Sequence, residues 1–130
     1  MQRRLRRFGL DTITLAGPGR DLAEQLLVLT DDDVVLAFAF RRPPAGLEPL
    51  LGYAAERGTA TVVITDTVTA LQPAPTTVLA APRGSGREFQ SLTVPMALAN
   101  ALLLTIARQA PNSSISALDR LGALIERFDA

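Results

Sequence analysis

Residues 33–40 read DVVLAFAF, and residues 41–44 follow directly as RRPP. The residues from 34 to 40 are apolar without interruption. An antiparallel strand with one wet face would alternate apolar and polar residues, whereas a parallel strand covered by helices on both faces need not. Acidic residues end before this stretch and arginines begin after it, so both of its ends should reach water. The stretch therefore predicts a buried, central parallel strand in a small α/β domain.

Two arginines, Arg41 and Arg42, come directly after this strand. In open α/β sheets, ligands bind just beyond the carboxyl ends of the central strands. Guanidinium groups suit phosphate and carboxylate oxygens, which they bind through parallel hydrogen bonds. The position and the residue type together predict an anion site after residue 40.

The length of the chain indicates one domain, and its balanced charge indicates that it has no strong electrostatic field. Its 130 residues are 48% hydrophobic, enough for a real core, and its 13 basic and 13 acidic residues balance. No overall charge therefore favours nucleic acid or membranes. The absence of cysteine excludes disulfides and thiolate metal sites and is compatible with a reducing cytosol. We predict a single cytoplasmic domain over residues 1–130.

Histidine and lysine are both missing from the sequence. Histidine is the most common general acid or base near neutral pH and the most common metal ligand, and lysine is needed for Schiff bases. Carboxylates, hydroxyls and one tyrosine remain for catalysis. The composition therefore argues against an enzyme, and we predict no metal site and no cofactor.

Strand and helix patterns alternate along the rest of the chain. Gly58 should stop the helix before it, and Pro49 should lie in the first turn of that helix, near Leu47. Such alternation is typical of a parallel sheet with right-handed crossovers. A flexible loop at 82–90 carries two further arginines. The patterns predict strands at 12–15, 33–40, 59–65 and 76–81, and helices at 20–29, 45–57, 91–109 and from a cap at Ser113-Ser114 to Phe128.

Two segments near the start allow more than one interpretation. Residues 1–8 carry four arginines and end at Gly9. The first interpretation is a solvated helix tail. The second is a segment that contacts nucleic acid or another acidic surface. The third is a targeting peptide, although the apolar run that such a peptide usually has is missing. Gly17-Pro18-Gly19 is either a plain turn or a phosphate loop whose glycine fingerprint is incomplete.

Two later segments are also open. The carboxylates at 31–33 either keep the start of the strand in water or bind a hard cation. Residues 91–109 form a buried helix or a dimer face, or else a membrane span of barely sufficient length, interrupted by Pro95, Asn100 and Thr105.

Four motifs in this order resemble the sugar isomerase (SIS) domain, and more closely the SIS effector domain of the RpiR/MurR family of bacterial transcription regulators. They are DDVVLAF at 32–38, AAERG at 54–58, VVITD at 62–66 and FQSL at 89–92. The family has a strand, a helix end, a second strand and a helix start at these places. The resemblance implies a three-layer sandwich, with a parallel, flavodoxin-like and Rossmann-like sheet flanked by helices.

The loop after residue 40 departs from the family pattern, S-x-S-G-x-T, which holds the phosphate of a sugar. Arginines and Pro44 replace its later positions, so no hydroxyl of that loop remains. Either the arginines bind an anionic ligand differently, or ligand binding is lost and they are solvated. Other positions match family residues that line the same cleft. The resemblance thus implies ligand binding by Arg41, Arg42, Thr65, Asp66 and Ser91.

The resemblance implies a non-catalytic domain that senses a carbohydrate derivative such as a sugar phosphate, dimerises, and passes the signal to a helix-turn-helix domain. The short basic cluster, the zero net charge and the lack of a helix-turn-helix pattern before the sheet argue against direct nucleic-acid contact by this chain alone, and we predict no membrane contact. Two alternatives are a ligand-free structural or dimerisation domain and a sugar-phosphate isomerase that uses Glu48 or Glu88 as a base.

The resemblance also implies that the first SIS strand and the DNA-binding domain are missing, since the opening helix begins almost at residue 1. That strand would lie between those at 12–15 and 33–40. Unless the sheet closes up or a partner strand fills the gap, backbone groups stay unpaired, which is costly when they are buried.

Overall fold

The structure is a computed structural model that describes residues 1–67, 71–84 and 90–130. The chain divides into two compact units, one of residues 15–95 and one of residues 1–14 and 96–130. The helices are α1 (Gln2–Arg7), α2 (Gly19–Leu26), α3 (Leu47–Arg57), α4 (Thr93–Gln109) and α5 (Pro111–Phe128), and the strands are β1 (Val34–Ala39), β2 (Ala60–Thr65) and β3 (Thr77–Ala80).

The three strands of the unit at 15–95 form a parallel sheet in the order β1-β2-β3. Its middle strand β2 is apolar and β-branched, and Val63 and Ile64 are fully buried. Within the described residues β1 lies at the edge of the sheet rather than at its centre, and its Val34 is 64% exposed. The predicted α/β fold, a parallel sheet flanked by helices, is confirmed.

The largest described hydrophobic cluster of this unit lies on the face of the sheet that carries Val63. Val35 and Ala39 of β1 and Val63 of β2 contribute to it, with leucines from α2 and α3. Burial of one such leucine stabilises the fold by about 1.5–3 kcal/mol. The leucines of this cluster are Leu26, Leu47, Leu50, Leu51 and Leu71.

Helix α3 begins and ends where the sequence predicts. Pro49 lies in its first turn, where a missing N–H costs nothing. Gly58 ends it in the left-handed conformation, with φ of +74°, and Thr59 N donates to Ala54 O at 2.9 Å. Glycine adopts this conformation without the steric penalty that a Cβ brings.

The strand predicted at 12–15 is not formed, so that prediction is wrong. Side chains satisfy backbone groups of this segment instead of a neighbouring strand. The Thr12 carbonyl accepts from Gln2 Nε2 at 3.2 Å and Arg6 Nη2 at 2.7 Å. Ala16 is held through both its N–H and its carbonyl by the Gln25 amide.

In the other unit, α1 ends in a Schellman motif, which confirms the predicted helix with a glycine at its end. Gly9 has φ of +82°, its N–H donates to Arg6 O at 3.0 Å, and Leu10 N donates to Leu5 O at 3.2 Å. A Cβ at Gly9 would lie 3.2 Å from Ala117 Cβ, so this turn packs closely on α5.

Helix α5 starts earlier than predicted. Pro111 occupies its first turn, and Ser113 Oγ donates back to Ala110 O at 3.0 Å, so the predicted serine cap is wrong. Proline suits this position because its fixed φ is already helical. Within the ranges that the structure describes, neither α4 nor any other helix has the length and hydropathy to cross a bilayer.

Candidate functional site

The carboxyl ends of the three parallel strands lie side by side at one end of the sheet, at Ala39, Thr65 and Ala80. The segments that leave this end carry Arg41, Asp66 and Arg83. Parallel pairing therefore gathers charged side chains that are up to 42 positions apart in the chain. It is the end at which open α/β sheets bind ligands.

Asp66 lies at the centre of this cluster. Its Oδ1 accepts from the backbone N–H of Arg41 at 2.8 Å and from Thr67 Oγ1 at 3.1 Å. Its Oδ2 accepts from Arg83 Nε at 2.6 Å. The Asp66 and Arg83 side chains are only 9% and 11% exposed, respectively. The carboxylate thus joins the ends of β1, β2 and β3 through a largely buried ion pair.

The environment of Asp66 keeps it ionised. Burial by itself raises the pKa of this carboxyl. The hydrogen bonds from Arg41 N–H, Arg83 and Thr67, together with the Arg83 charge, outweigh burial and leave the pKa below its ordinary value of 3.8. At neutral pH Asp66 is therefore a fixed negative charge and a weak base.

Gln90 brings the two arginines of the cluster together. Its Oε1 accepts from Arg41 Nε at 2.8 Å and from Arg83 Nη2 at 2.6 Å. Arg83 is further fixed by Phe40, whose ring centre lies 4.9 Å from the guanidinium carbon. Two guanidinium groups thus converge on one neutral oxygen.

Arg41 has a strained backbone. Its φ is +62°, and Arg42 N donates to Phe40 O at 2.8 Å, so Arg41 stands at the centre of a γ-turn. Such a conformation costs about 1–3 kcal/mol outside glycine and is concentrated at functional sites. The turn aims the Arg41 backbone N–H at Asp66 and its side chain at Gln90.

The structure places the other predicted residues differently. The side chain of Arg42 is exposed, and its backbone N–H closes the γ-turn. Thr65 is buried, and its hydroxyl is engaged with the N–H and the carbonyl of Thr67 at 3.1 and 3.0 Å. Of the five predicted residues, Arg41 and Asp66 are therefore in direct contact.

Ser91 borders the cluster through its backbone. Its N–H donates to Arg83 O at 3.0 Å, and its hydroxyl accepts from the Thr93 N–H at 3.0 Å, at the start of α4. Of the two proposed isomerase bases, Glu88 lies outside the described residues, as does Phe89 of the FQSL motif. Glu48 is exposed in the first turn of α3.

Sequence reasoning missed Arg83 and Gln90. A signal existed for Arg83, because it follows the third parallel strand as Asp66 follows the second. Nothing in the sequence marks Gln90 as a partner of Arg41, which is 49 positions away.

The cluster carries an excess of positive charge. Among the described residues that directly follow the strands, Arg41, Arg42 and Arg83 stand against a single carboxylate in number, that of Asp66. The arrangement is suited to hold an anion by charge and by planar donors.

Comparison with known proteins gives one informative result. No protein-family model matches the chain, and no curated protein sequence does so either. Among solved structures, the chain is similar to the sugar isomerase domain of an RpiR transcription factor from Sphaerobacter thermophilus. The TM-score is 0.81 at 26% identity, over 93% of this chain and 68% of the other. The predicted resemblance to the SIS domain of an RpiR regulator is thereby confirmed.

Proposed function

We propose that this chain is the sensing domain of an RpiR-type transcription regulator and binds a phosphorylated sugar or a similar anion at the carboxyl edge of its sheet. One observation carries the proposal. In the described part of the chain, Arg41, Arg42, Arg83 and Asp66 follow the strands at the end where open α/β sheets bind ligands, and the fold is similar to that of an RpiR sugar isomerase domain.

The contacts of Arg41 support binding at this place. Its N–H is held by Asp66, which fixes the direction of its Cα–Cβ bond, and its Nε is held by Gln90, so the side chain is ordered before a ligand arrives. A pre-ordered arginine loses less conformational entropy on binding than a free one. Arg42 adds charge from the exposed side of the same turn.

The state of Asp66 supports binding rather than catalysis. An isomerase needs a base whose pKa lies near the working pH. The pKa of Asp66 lies below its ordinary value, and Arg83 occupies one of its oxygens. We therefore propose a non-catalytic, cytoplasmic domain over residues 1–130. Its signal would go to a separate DNA-binding domain, because the chain has no net charge to bind DNA itself.

We further propose that the chain forms a homodimer through its last two helices. The unit at 1–14 and 96–130 contains an apolar groove of about 530 Å³, whose lining includes Leu104, Ile115 and Leu118. These three side chains are 41–57% exposed, and Phe128 at the end of α5 is 86% exposed. Apolar exposure of this kind is typical of interfaces. Sedimentation over a range of concentrations tests this proposal, which a strictly monomeric chain would contradict.

Thermal unfolding with and without a panel of sugar phosphates tests the sensing function. A ligand present at a hundred times its dissociation constant adds about 2.7 kcal/mol, which raises Tm by about 5–15 °C at this size. The rise should disappear in Arg41→Ala/Arg42→Ala and persist in Arg20→Ala, whose side chain is 90% exposed and pairs with Glu24.

The second candidate is a ligand-free dimerisation domain. It is favoured by the ion pair between Arg83 and Asp66, because Asp66 already compensates part of the positive charge of the cluster. A cooperative transition that no sugar phosphate moves would support this candidate and reject the sensing function.

A further inference from the structure

The Gln90 carboxamide has an unusual set of partners. Its single oxygen Oε1 accepts from two cations, Arg41 at 2.8 Å and Arg83 at 2.6 Å. Asp66 compensates one positive charge through Arg83 Nε, and Gln90 is neutral. The N–H groups with which Arg41 and Arg83 bind Gln90 therefore have a hydrogen-bond acceptor. That acceptor carries no negative charge to compensate the second arginine.

An anionic oxygen would bind more strongly in the same position. The two bonds to Gln90 already have charged donors, and an anionic acceptor in place of the amide oxygen would add the Coulomb attraction between opposite charges. The Arg83 side chain is only 11% exposed, so water weakens its interactions less than at the open surface. A ligand oxygen with a full charge should therefore displace the amide.

We propose that Gln90 Oε1 occupies the position of a phosphate oxygen, and that a phosphate monoester binds between Arg41 and Arg83 once the Gln90 side chain has moved away. The inference rests on the proposed sensing function and assigns Arg83 as a ligand-binding residue. Gln90 then acts as an internal competitor that dissociates when the ligand binds.

Asp66 keeps its partners throughout this exchange. It holds Arg83 through Nε, whereas Gln90 is bound to Nη2 of the same guanidinium, and Phe40 lies against this group. The ligand takes over Nη2, while Asp66 continues to fix the plane of the guanidinium. Asp66 is thus a positioning residue, and it acts on the ligand through Arg83.

The displacement would reach the start of a long helix. Gln90 directly precedes Ser91, whose hydroxyl accepts from the Thr93 N–H in the first turn of α4 and whose N–H is held by Arg83 O. Movement of Gln90 therefore changes the segment that leads into α4. This gives the bound and free states a structural difference at one defined point.

Isothermal titration with three Gln90 forms tests the exchange. The probes are inorganic phosphate, glucose 6-phosphate and glucosamine 6-phosphate, with gluconate as the carboxylate control. Removal of the competitor in Gln90→Ala should tighten binding of the phosphate ester by up to about tenfold. Gln90→Glu places a fixed carboxylate between the arginines and should weaken binding by about 10- to 100-fold.

The same variants give a second readout without ligand. Gln90→Glu should have a higher Tm than Gln90→Ala, because it supplies the missing negative charge. In ¹⁵N spectra of the wild-type chain, the Arg41 Nε–H signal should move on addition of ligand, while that of Arg83 Nε–H, held by Asp66, should stay.

The outcomes separate the inference from the proposed function. If the wild-type chain binds a phosphate ester and Gln90→Ala binds it more weakly, Gln90 is a ligand contact and the inference is rejected alone. Preferential binding of gluconate rejects the phosphate assignment. If the Tm of Gln90→Glu is not higher than that of Gln90→Ala, the idea that a negative charge is missing between the two arginines is rejected. If the wild-type chain binds none of the probes, the sensing function and the inference fall together.

Discussion

The two ends of the parallel sheet carry opposite charge and use it differently. At the amino end stand three carboxylates, at 31–33, and one arginine, Arg57. Asp33 Oδ2 accepts from the N–H and the hydroxyl of Thr30 at 2.8 and 2.9 Å, and Arg57 Nε donates to Leu29 O at 3.2 Å. Asp33 and Arg57 thus bond to neutral groups of the turn that leads into β1.

At the carboxyl end, the described residues that directly follow the strands have the reverse composition, with three arginines and one carboxylate. Here Arg83 forms an ion pair with Asp66, and Arg41 and Arg83 share the neutral amide oxygen of Gln90. The amino end thus ties a turn to the sheet, whereas the carboxyl end keeps an excess of one charge at fixed positions. The first arrangement contributes to stability, and the second leaves interaction energy for a ligand.

The largest expected effect comes from Asp66→Asn, which should lower the free energy of unfolding by about 3 kcal/mol because Arg83 keeps its charge without a counter-charge. Urea unfolding measures the loss. The matched control is Asp32→Asn at the amino end, an exposed carboxylate whose replacement should change little. Asp66→Asn/Arg83→Met should recover most of the loss, and a double variant as unstable as the single one would contradict the role of the pair.

Acid should weaken both ends of the sheet, in the same direction. The pKa of Asp33 is lowered by its hydrogen bonds to Thr30, and that of Asp66 by the contacts that outweigh its burial. Carboxyls with a lowered folded pKa stabilise the fold above the unfolded pKa, and this stability is lost as the pH falls through the folded pKa.

Unfolding free energies measured from pH 7 to pH 2 should therefore stay level down to about pH 5 and fall below it. Asp66→Asn should reduce the slope of that fall. An identical slope in the wild-type chain and in this variant would show that Asp66 titrates alike in the folded and unfolded states.

A smaller effect is expected at the amino end from Thr59→Val. Thr59 is 4% exposed, and its Oγ1 donates to Thr30 O at 2.7 Å. Loss of this bond should cost about 1 kcal/mol in urea unfolding. The affinity for a sugar phosphate should not change. A loss of affinity in Thr59→Val would mean that the two ends of the sheet are coupled. The amino end would then contribute to ligand binding as well as to stability.

The smallest effect separates backbone from side chain at Arg41. Arg41→Ala and Arg41→Gly both remove the guanidinium, but glycine adopts φ of +62° without the Cβ penalty. Arg41→Gly should therefore be more stable than Arg41→Ala by about 1 kcal/mol or less. Equal stabilities would mean that the turn relaxes when the side chain is removed.

The parts of the fold that the sequence predicts well are those decided by local patterns. The apolar run of β1 and the glycine that ends α3 each act through their own residues, and both were located to within a residue or two. The alternation at 12–15 failed because a strand needs a neighbour, and side chains of Gln2 and Arg6 occupy that backbone instead.

The candidate site was predictable only in part, for a related reason. Arg41 was predicted because it follows the carboxyl end of a parallel strand, where such sheets bind ligands, and Asp66 was predicted from its match to a family position. The contact of Gln90 with Arg41 depends on how a loop folds back across 49 positions, which no local pattern encodes. Thr65 was placed in the cleft by its family position, whereas its hydroxyl bonds to Thr67.

The position of β1 has a further consequence, for aggregation. Among the described residues no strand pairs with its outer edge, and it offers six consecutive apolar residues with Val34 and Phe38 partly exposed. Such a strand is a template for edge-to-edge assembly with copies of itself. The aspartates before it and Arg41-Arg42 after it flank it with charge, as gatekeeper residues do. The arginines that suit a ligand therefore also keep the chain dispersed while it folds.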